Sequence, residues 1–478
     1  MTAVEGQTHI RRIYPLDPRE LREEQMAVAF AMTSRRPEPF DQIAREVTEE
    51  KAADFHERWV LNYGHSSVAE HAILHMAVEN ISRLACDDLE DNRLASYTEQ
   101  STRYQVLEPG HYYTPPELEG HPIKSIFVSA CDHLFQTYTH MVAELRTYLP
   151  KEMPRKDKER DSAYNLRIRR TAVDSCRFVL PASTLTNVGV TINARSLEHA
   201  IRKFLSSDLQ EEREIGQELK ERGQQITPTL IKYADFNAYL ASTRKAQKHE
   251  VQNWRGSEKG QRSNNEIRLV HWDSQAEEKL AAAFLYRFSD IPYTGIWSRV
   301  CQMDRGERER LIDQMLHRLG PHDTPVREME TVDYTFDMVM DYGAYREFKR
   351  HRMQTYIAQP LTVEMGYVIP PLIERAGLKG QFEHAMRTVE AAFHRVAEKF
   401  PRQREYLVTH AHRRRVLSKM NLRECYHLFK LRTQPTAHFT LQEMARRSLA
   451  LVEEKHPLLF RYLQLRSESG NQDVSGSS

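Results

Sequence analysis

Glycine is scarce in this chain, 18 in 478 residues, and no GxGxxG or GxxxxGK[ST] run occurs. The Gly-rich loops that cradle phosphates in dinucleotide-binding and P-loop proteins are therefore excluded. Cysteine is scarcer still. Cys86, Cys131, Cys176, Cys301 and Cys425 are scattered, odd in number and never in a CxxC pair, which argues against a disulfide framework and predicts reduced, mostly buried thiols. No apolar run approaches the roughly 18–20 residues that cross a bilayer, and MTAVEGQTHIRRIYPLD at the N-terminus has no apolar signal core. An excess of charge is also missing: 68 Lys+Arg against 67 Asp+Glu leave a net +1, so no global field draws the chain to nucleic acid or to an anionic membrane. The expectation is a soluble cytoplasmic protein that binds any anion locally.

What the chain does contain is an internal repeat. HIRRIYPLDPRELREEQMAVAFAMTS from His9 returns as EIRLVHWDSQAEEKLAAAFLYRFSD from Glu266, each reading as a short strand and then an amphipathic helix. In the same order, GHSS (64–67) pairs with PHDT (321–324), DNRLASY (91–97) with RHRMQTY (350–356), and NARSLEHAIRKF (193–204) with NLRECYHLFKLR (421–432). The boundaries expected from this are a first repeat at 1–241, a polar linker at 242–265, a second repeat at 266–466 and a disordered tail at 467–478. Apolar spacing predicts helices over Val68–Leu84 and Leu441–Leu465, and the β-rich pieces between Phe178 and Asn193 predict a hairpin. The class is α+β and helix-rich, in two copies.

Three clusters carry chemistry. In SYTEQSTRY (96–104), Glu99, Ser101 and Arg103 alternate, so an extended backbone presents an acceptor, a hydroxyl and a guanidinium on one face, suited to a phosphate beside a hydroxylated sugar. Arg350, His351 and Arg352 concentrate cationic donors and call for solvent or an anion. HAHRRR (410–415) reads as a solvated helix face or a weak nucleic-acid patch. His71, His75 and Glu79 recur every four residues, but no third His or Cys completes a metal site, and none is expected.

At these residues the sequence resembles the flavin-dependent thymidylate synthase family, whose hallmark is RHR, a seven-residue spacer, Ser, then RY. The likeness runs from Gly64 to Tyr104 and from Arg177 to His199. The first half reads Asp91, Asn92, Arg93 where the family has RHR, and Phe204 where it has a late arginine. The second half keeps Arg350, His351, Arg352 and Arg432 but has Ala358, Pro360 and Thr362 where the first half has Glu99, Ser101 and Arg103. Both halves lack the family's glutamine three residues before RHR, reading Asp88 and Glu347.

The resemblance implies a thymidylate synthase-complementing fold, two repeats around a mainly antiparallel sheet, and homotetrameric relatives with sites between subunits. It implies reductive methylation of dUMP with methylenetetrahydrofolate and NADPH as co-substrates and FAD as cofactor. Carried over, Arg350, Arg432 and Ser101 are the catalytic candidates, while Glu99, Ser101, Arg103, Arg177 and Arg432 hold the nucleotide. Arg350, His351, Arg352, His65, Ser67, Glu70, Asn193, His199, Asn421 and His427 line the FAD. The losses are reciprocal, so one composite site per pair of repeats stays complete, and two double-length chains would form a homodimeric pseudo-tetramer. Two alternatives remain open: another pyrimidine nucleotide as substrate, or a degenerate nucleotide- or flavin-binding protein without catalysis.

Overall fold

The computed structural model describes residues 21–254 and 267–465. The strand expected from His9, the Gly- and Ser-rich part of the linker and the C-terminal tail lie outside the described residues. Each half is organised on an antiparallel sheet. The first contains β1 (Ile73–Ser82), β2 (Ala95–Glu99) and β3 (Leu185–Asn193), in the order β1-β3-β2. The second contains β4 (Ile267–Trp272), β5 (Asp333–Asp341), β6 (Thr355–Ala358) and β7 (Arg413–Asn421), in the order β4-β5-β7-β6.

The central strands show why the pattern repeats. Thr186, Val188, Val190 and Ile192 alternate inward along β3, as Arg414, Val416, Ser418 and Met420 do along β7. Each strand then ends on an asparagine that caps a helix. The Asn193 side chain accepts from the Ser196 amide at 2.8 Å, and that of Asn421 from the Glu424 amide at 2.8 Å. Likewise Ser82 caps the Arg83–Leu89 helix and Asp341 caps the Tyr342–Phe348 helix.

The halves join through their own backbones. Ala182 N–H donates to the Val408 carbonyl (2.8 Å) and Ser183 N–H to Tyr406 (2.8 Å), while His410 N–H donates to Leu180 (3.0 Å) and Ala411 N–H to Phe178 (2.9 Å). Exchanging each residue for its counterpart in the other repeat maps this set onto itself, a pseudo-twofold within one chain. Side chains reinforce the seam: Glu211 accepts from the Ser82 amide (2.7 Å), the Ser82 hydroxyl (2.6 Å) and the Tyr406 hydroxyl (2.7 Å). The helices Ile123–Glu152 and Lys379–Ala397 pack into one apolar core, with Phe127, Leu134, Tyr138, Phe382, Val389 and Phe393 all buried.

Several expectations are corrected. Val68–Leu84 is a short 3-10 turn followed by β1, not a helix. Apolar residues four apart satisfy period two as well as period 3.6, and pairing with β3 decides between them. His71, His75 and Glu79 therefore share no helical face, and His75 bonds Thr191 at 2.9 Å. The segment from Phe178 is not one arm of a hairpin with β3: Phe178, Leu180, Ala182 and Ser183 make backbone bonds to the other half, and the Ala182 and Ser183 carbonyls accept from Leu84 and Tyr113. HAHRRR is not a solvated helix face. His410 and His412 are buried and Arg413 opens β7. The Leu441–Leu465 helix is observed as Phe439–Lys455 with a short turn after it, Pro457–Phe460. The linker expected from 242 begins inside a helix, Ala238–Trp254, none of whose residues is buried. Four of the five cysteines are buried, and all are free.

Candidate functional site

The seam positions a cavity of ≈ 150 Å³ lined by both repeats. The first repeat contributes Arg83, Glu99, Gln100, Ser101, Thr102, Arg103 and Arg177; the second contributes Gly343, Arg346, Glu347, Arg350 and His410. Glu99, Ser101, Arg103, Arg177 and Arg350 are thus brought together within one chain, where the sequence had left open which interface would join them. The local geometry differs from the expectation. β2 stops at Glu99, and Ser101 and Arg103 sit in a turn in which the Arg103 amide donates to the Ser101 hydroxyl at 3.2 Å.

Electrostatics organise this wall. Glu99 receives Arg83 at 2.6 Å and also Arg346. Burial alone would raise the Glu99 carboxyl, but the Arg346 and Arg83 guanidiniums outweigh it and hold the group at about 2. Arg103 pairs with Glu347 and lies 3.1 Å from Asp174, which also meets Arg177 at 2.9 Å. Arg177 reaches the Thr102 hydroxyl at 3.3 Å, and burial lowers its affinity for protons. Four buried nitrogens of the lining, Arg83 Nε, Arg177 Nη2, Arg346 Nε and His410 Nε2, have no hydrogen-bond partner among the described residues. Buried donors left this way cost stability unless a ligand satisfies them, and three of these are cationic, so the chemistry of the cavity suits an anion.

A second cavity of ≈ 260 Å³ adjoins the first, sharing Glu99 and Arg350, and is lined further by Glu90, Tyr97, Thr98, Lys349 and Arg352. The Arg352 guanidinium lies over the Tyr97 ring, 5.6 Å from its centroid, and donates to the Ala95 carbonyl. Cations beside an aromatic face fit an anionic, planar cofactor.

The remaining sequence candidates lie elsewhere. His351 is buried: its Nδ1 is 2.8 Å from Glu424, and its Nε2 accepts from Arg432 Nε at 2.9 Å. This makes it a neutral imidazole protonated on Nδ1, in keeping with burial lowering its pKa. Arg432 in turn donates to the Glu347 side chain (3.4 Å) and backbone (3.2 Å), so it borders the first cavity through Glu347. Asn193 and Asn421 are helix caps, and Glu70 pairs with Arg195. His65, Ser67, His199 and His427 are exposed. None of these last seven lines either cavity among the described residues.

The pseudo-symmetric counterpart of the first cavity has the opposite charge. Matching the caps Ser82 and Asp341 carries Arg346, Glu347 and Arg350 onto Asp87, Asp88 and Asp91; matching Asn421 and Asn193 carries Arg177 onto Glu405, and Arg432 onto Phe204. The chain's own cations fill this space. Lys349 meets Asp87 at 2.8 Å, Arg414 lies 3.6 Å from Asp87, and Arg402 pairs with Glu405 at 2.5 Å. Asp87→Ala removes the nearest carboxylate from this buried ammonium, leaving it the residue-87 carbonyl and Asp91 at 3.7 Å, and is expected to cost about 3 kcal/mol in denaturant unfolding.

Sequence reasoning missed Arg83, Arg346, His410, Glu90 and Lys349 as site residues, and named Glu347 only as the replacement for the family's glutamine. Arg346 was within reach, since it precedes Arg350 by one helical turn. His410 was hidden inside a basic run.

Comparison with known proteins follows the same division. The family model described as thymidylate synthase complementing protein matches residues 19–229 and again 268–458. A protein of Chlamydia muridarum described only as a UPF0159 protein is 31% identical over 432 residues, covering 87% of this chain and 81% of its own. The flavin-dependent thymidylate synthase of Clostridium tetani is 29% identical over 214 residues, 44% of this chain and 82% of that enzyme. A crystal structure of the Helicobacter pylori flavin-dependent thymidylate synthase, complexed with FAD and dUMP, is 17% identical and covers 42% of this chain and 100% of that one, with a TM-score of 0.31.

Proposed function

Since the chain belongs to the thymidylate synthase complementing protein family, we propose that it is a cytoplasmic FAD-dependent thymidylate synthase with one composite site per chain. It converts dUMP to dTMP with methylenetetrahydrofolate and NADPH as co-substrates. The observation that carries this reading is the mixed lining of the first cavity, cationic and short of partners, beside a counterpart whose matching positions have reversed charge.

In this reading Ser101, Arg103 and Arg177 hold the nucleotide phosphate by charge-assisted bonds. Glu99, fixed as a carboxylate by Arg83 and Arg346, accepts from a sugar hydroxyl. Arg350 stands where the two cavities meet and stabilises negative charge as carbon 5 of the pyrimidine becomes nucleophilic. Arg432 acts by position, holding Glu347 directly and Arg350's neighbour His351 in one tautomer. Arg350, Arg352 and the Tyr97 ring would hold FAD, which supplies the hydride chemistry when bound. Two chains associate into a pseudo-tetramer.

Purified protein is expected to be yellow and to form dTMP from dUMP with consumption of NADPH. Colourless protein with no dTMP would overturn the reading. Glu347 favours one variation on the substrate. A carboxylate in the cavity wall accepts hydrogen bonds but donates none, which suits a base edge rich in N–H groups. Turnover of dCMP in preference to dUMP would support that variation, and turnover of dUMP alone would remove it.

A further inference from the structure

Among the described residues, His410 is the one ionisable residue lining the first cavity to which the reading above gives no role. It comes from the second repeat, at the position where the first has Ala182, so the pseudo-twofold gives the live cavity an imidazole and the counterpart a methyl group. The side chain is 2% exposed, its ring sits edge-on to Tyr342 with centroids 5.5 Å apart, and its Nε2 is buried without a partner.

The groups that act on it come from every element of the seam. Arg346 lies on the Tyr342–Phe348 helix, Arg83 on the Arg83–Leu89 helix, Arg177 on the turn before β3, and His438 precedes the Phe439–Lys455 helix. Glu99 is spent on Arg83 and Arg346. Burial first, and then the Arg346, Arg83 and Arg177 guanidiniums, push the imidazole well below its usual range, so it is neutral in the ligand-free protein. Those same three arginines carry the orphaned nitrogens of the cavity.

We propose that His410 is a ligand-binding residue of this cavity, and that it takes up a proton when the phosphate monoester held by Ser101, Arg103 and Arg177 docks beside it. The inference rests on the reading of the cavity as a nucleotide site. A dianion beside the ring reverses the field that keeps it neutral. The solvent-derived proton then lies on the imidazole, both ring nitrogens become donors, and Nε2–H is free to meet a phosphate oxygen. The sign follows from linkage. The imidazole's pKa is depressed without ligand and raised with it, so between those two values binding consumes a proton and affinity falls as pH rises. Tight binding of phosphate as a dianion has the opposite sign, because a phosphate monoester near its own pKa of about 6 must lose a proton.

The test is calorimetric titration of the full-length protein with dUMP from pH 6 to pH 8, in buffers of different ionisation enthalpy. Wild type is expected to take up a fraction of a proton that grows toward pH 6, with affinity dropping roughly tenfold across the range. H410Q and H410N are expected to lose that uptake and bind with a flat or inverted pH dependence, whereas H438Q keeps it. A flat wild-type profile, or the same proton uptake in wild type and both His410 variants, would overturn the proposal while leaving the nucleotide site intact. Absence of any dUMP binding to folded wild type would overturn that site as well, and this inference with it.

Discussion

Replacing Arg350 with alanine is expected to lower kcat/KM for dTMP formation by about three orders of magnitude. The size follows from its place. Arg350 lines both cavities, so under the proposed function a single guanidinium would face the nucleotide and the cofactor, and its loss would remove positive charge where the ring becomes anionic. The control is Arg93→Ala, the arginine that remains in the first repeat's degenerate DNR and the counterpart of Arg352. Arg93 is exposed and meets only the Thr355 hydroxyl at 3.4 Å with its side chain, so the expected change is within about threefold. Steady-state kinetics on the two variants compare like residues in unlike surroundings. Equal losses would remove the distinction between a live and a degenerate site.

The second large effect falls on stability. Glu99→Ala leaves Arg83 and Arg346, both nearly inaccessible to solvent, without their carboxylate, and is expected to cost about 3–5 kcal/mol as well as activity. Acid should mimic it in wild type. The folded carboxyl is held at about 2 against about 4.3 in an unfolded chain, a depressed value, so its contribution is complete above the unfolded pKa and is lost as pH falls toward 2. That difference corresponds to about 3 kcal/mol. Denaturant unfolding at pH 7 and at pH 3 samples a little more than half of it, about 1.7 kcal/mol, and Glu99→Gln should lack this part of the pH dependence. An unchanged acid dependence in Glu99→Gln would show that other carboxylates carry it.

The duplication was legible because its markers are local. An asparagine after an alternating strand caps a helix wherever it occurs, and reciprocal gains and losses of arginine can be read along one dimension. Segments whose partners are distant were not legible. Phe178–Ser183 and the HAH of 410–412 take their structure from each other across the seam, so neither periodicity nor composition could place them. The same limit applied to the site. Glu99, Ser101, Arg103, Arg177 and Arg350 were recognisable, whereas Arg83 and His410 enter the cavity only because the pseudo-twofold turns their elements inward. His351 belonged to the most conspicuous motif, yet its ring is committed to Glu424 and Arg432 rather than to either cavity.

The division of labour has a consequence for assembly. Relatives with one repeat per chain are expected to share sites between subunits, but here the first cavity is closed within a single polypeptide by backbone bonds between its halves. The direct measurement is dUMP binding to wild type, to Arg350→Ala, to Ser101→Ala, and to the two variants co-expressed so that any oligomer mixes them. One dUMP per wild-type chain, sharply weakened binding for either variant and no recovery for the mixture is the expected result, because no chain in the mixture carries both residues. Two dUMP per wild-type chain, or binding regained on mixing, would contradict a single site built within each chain.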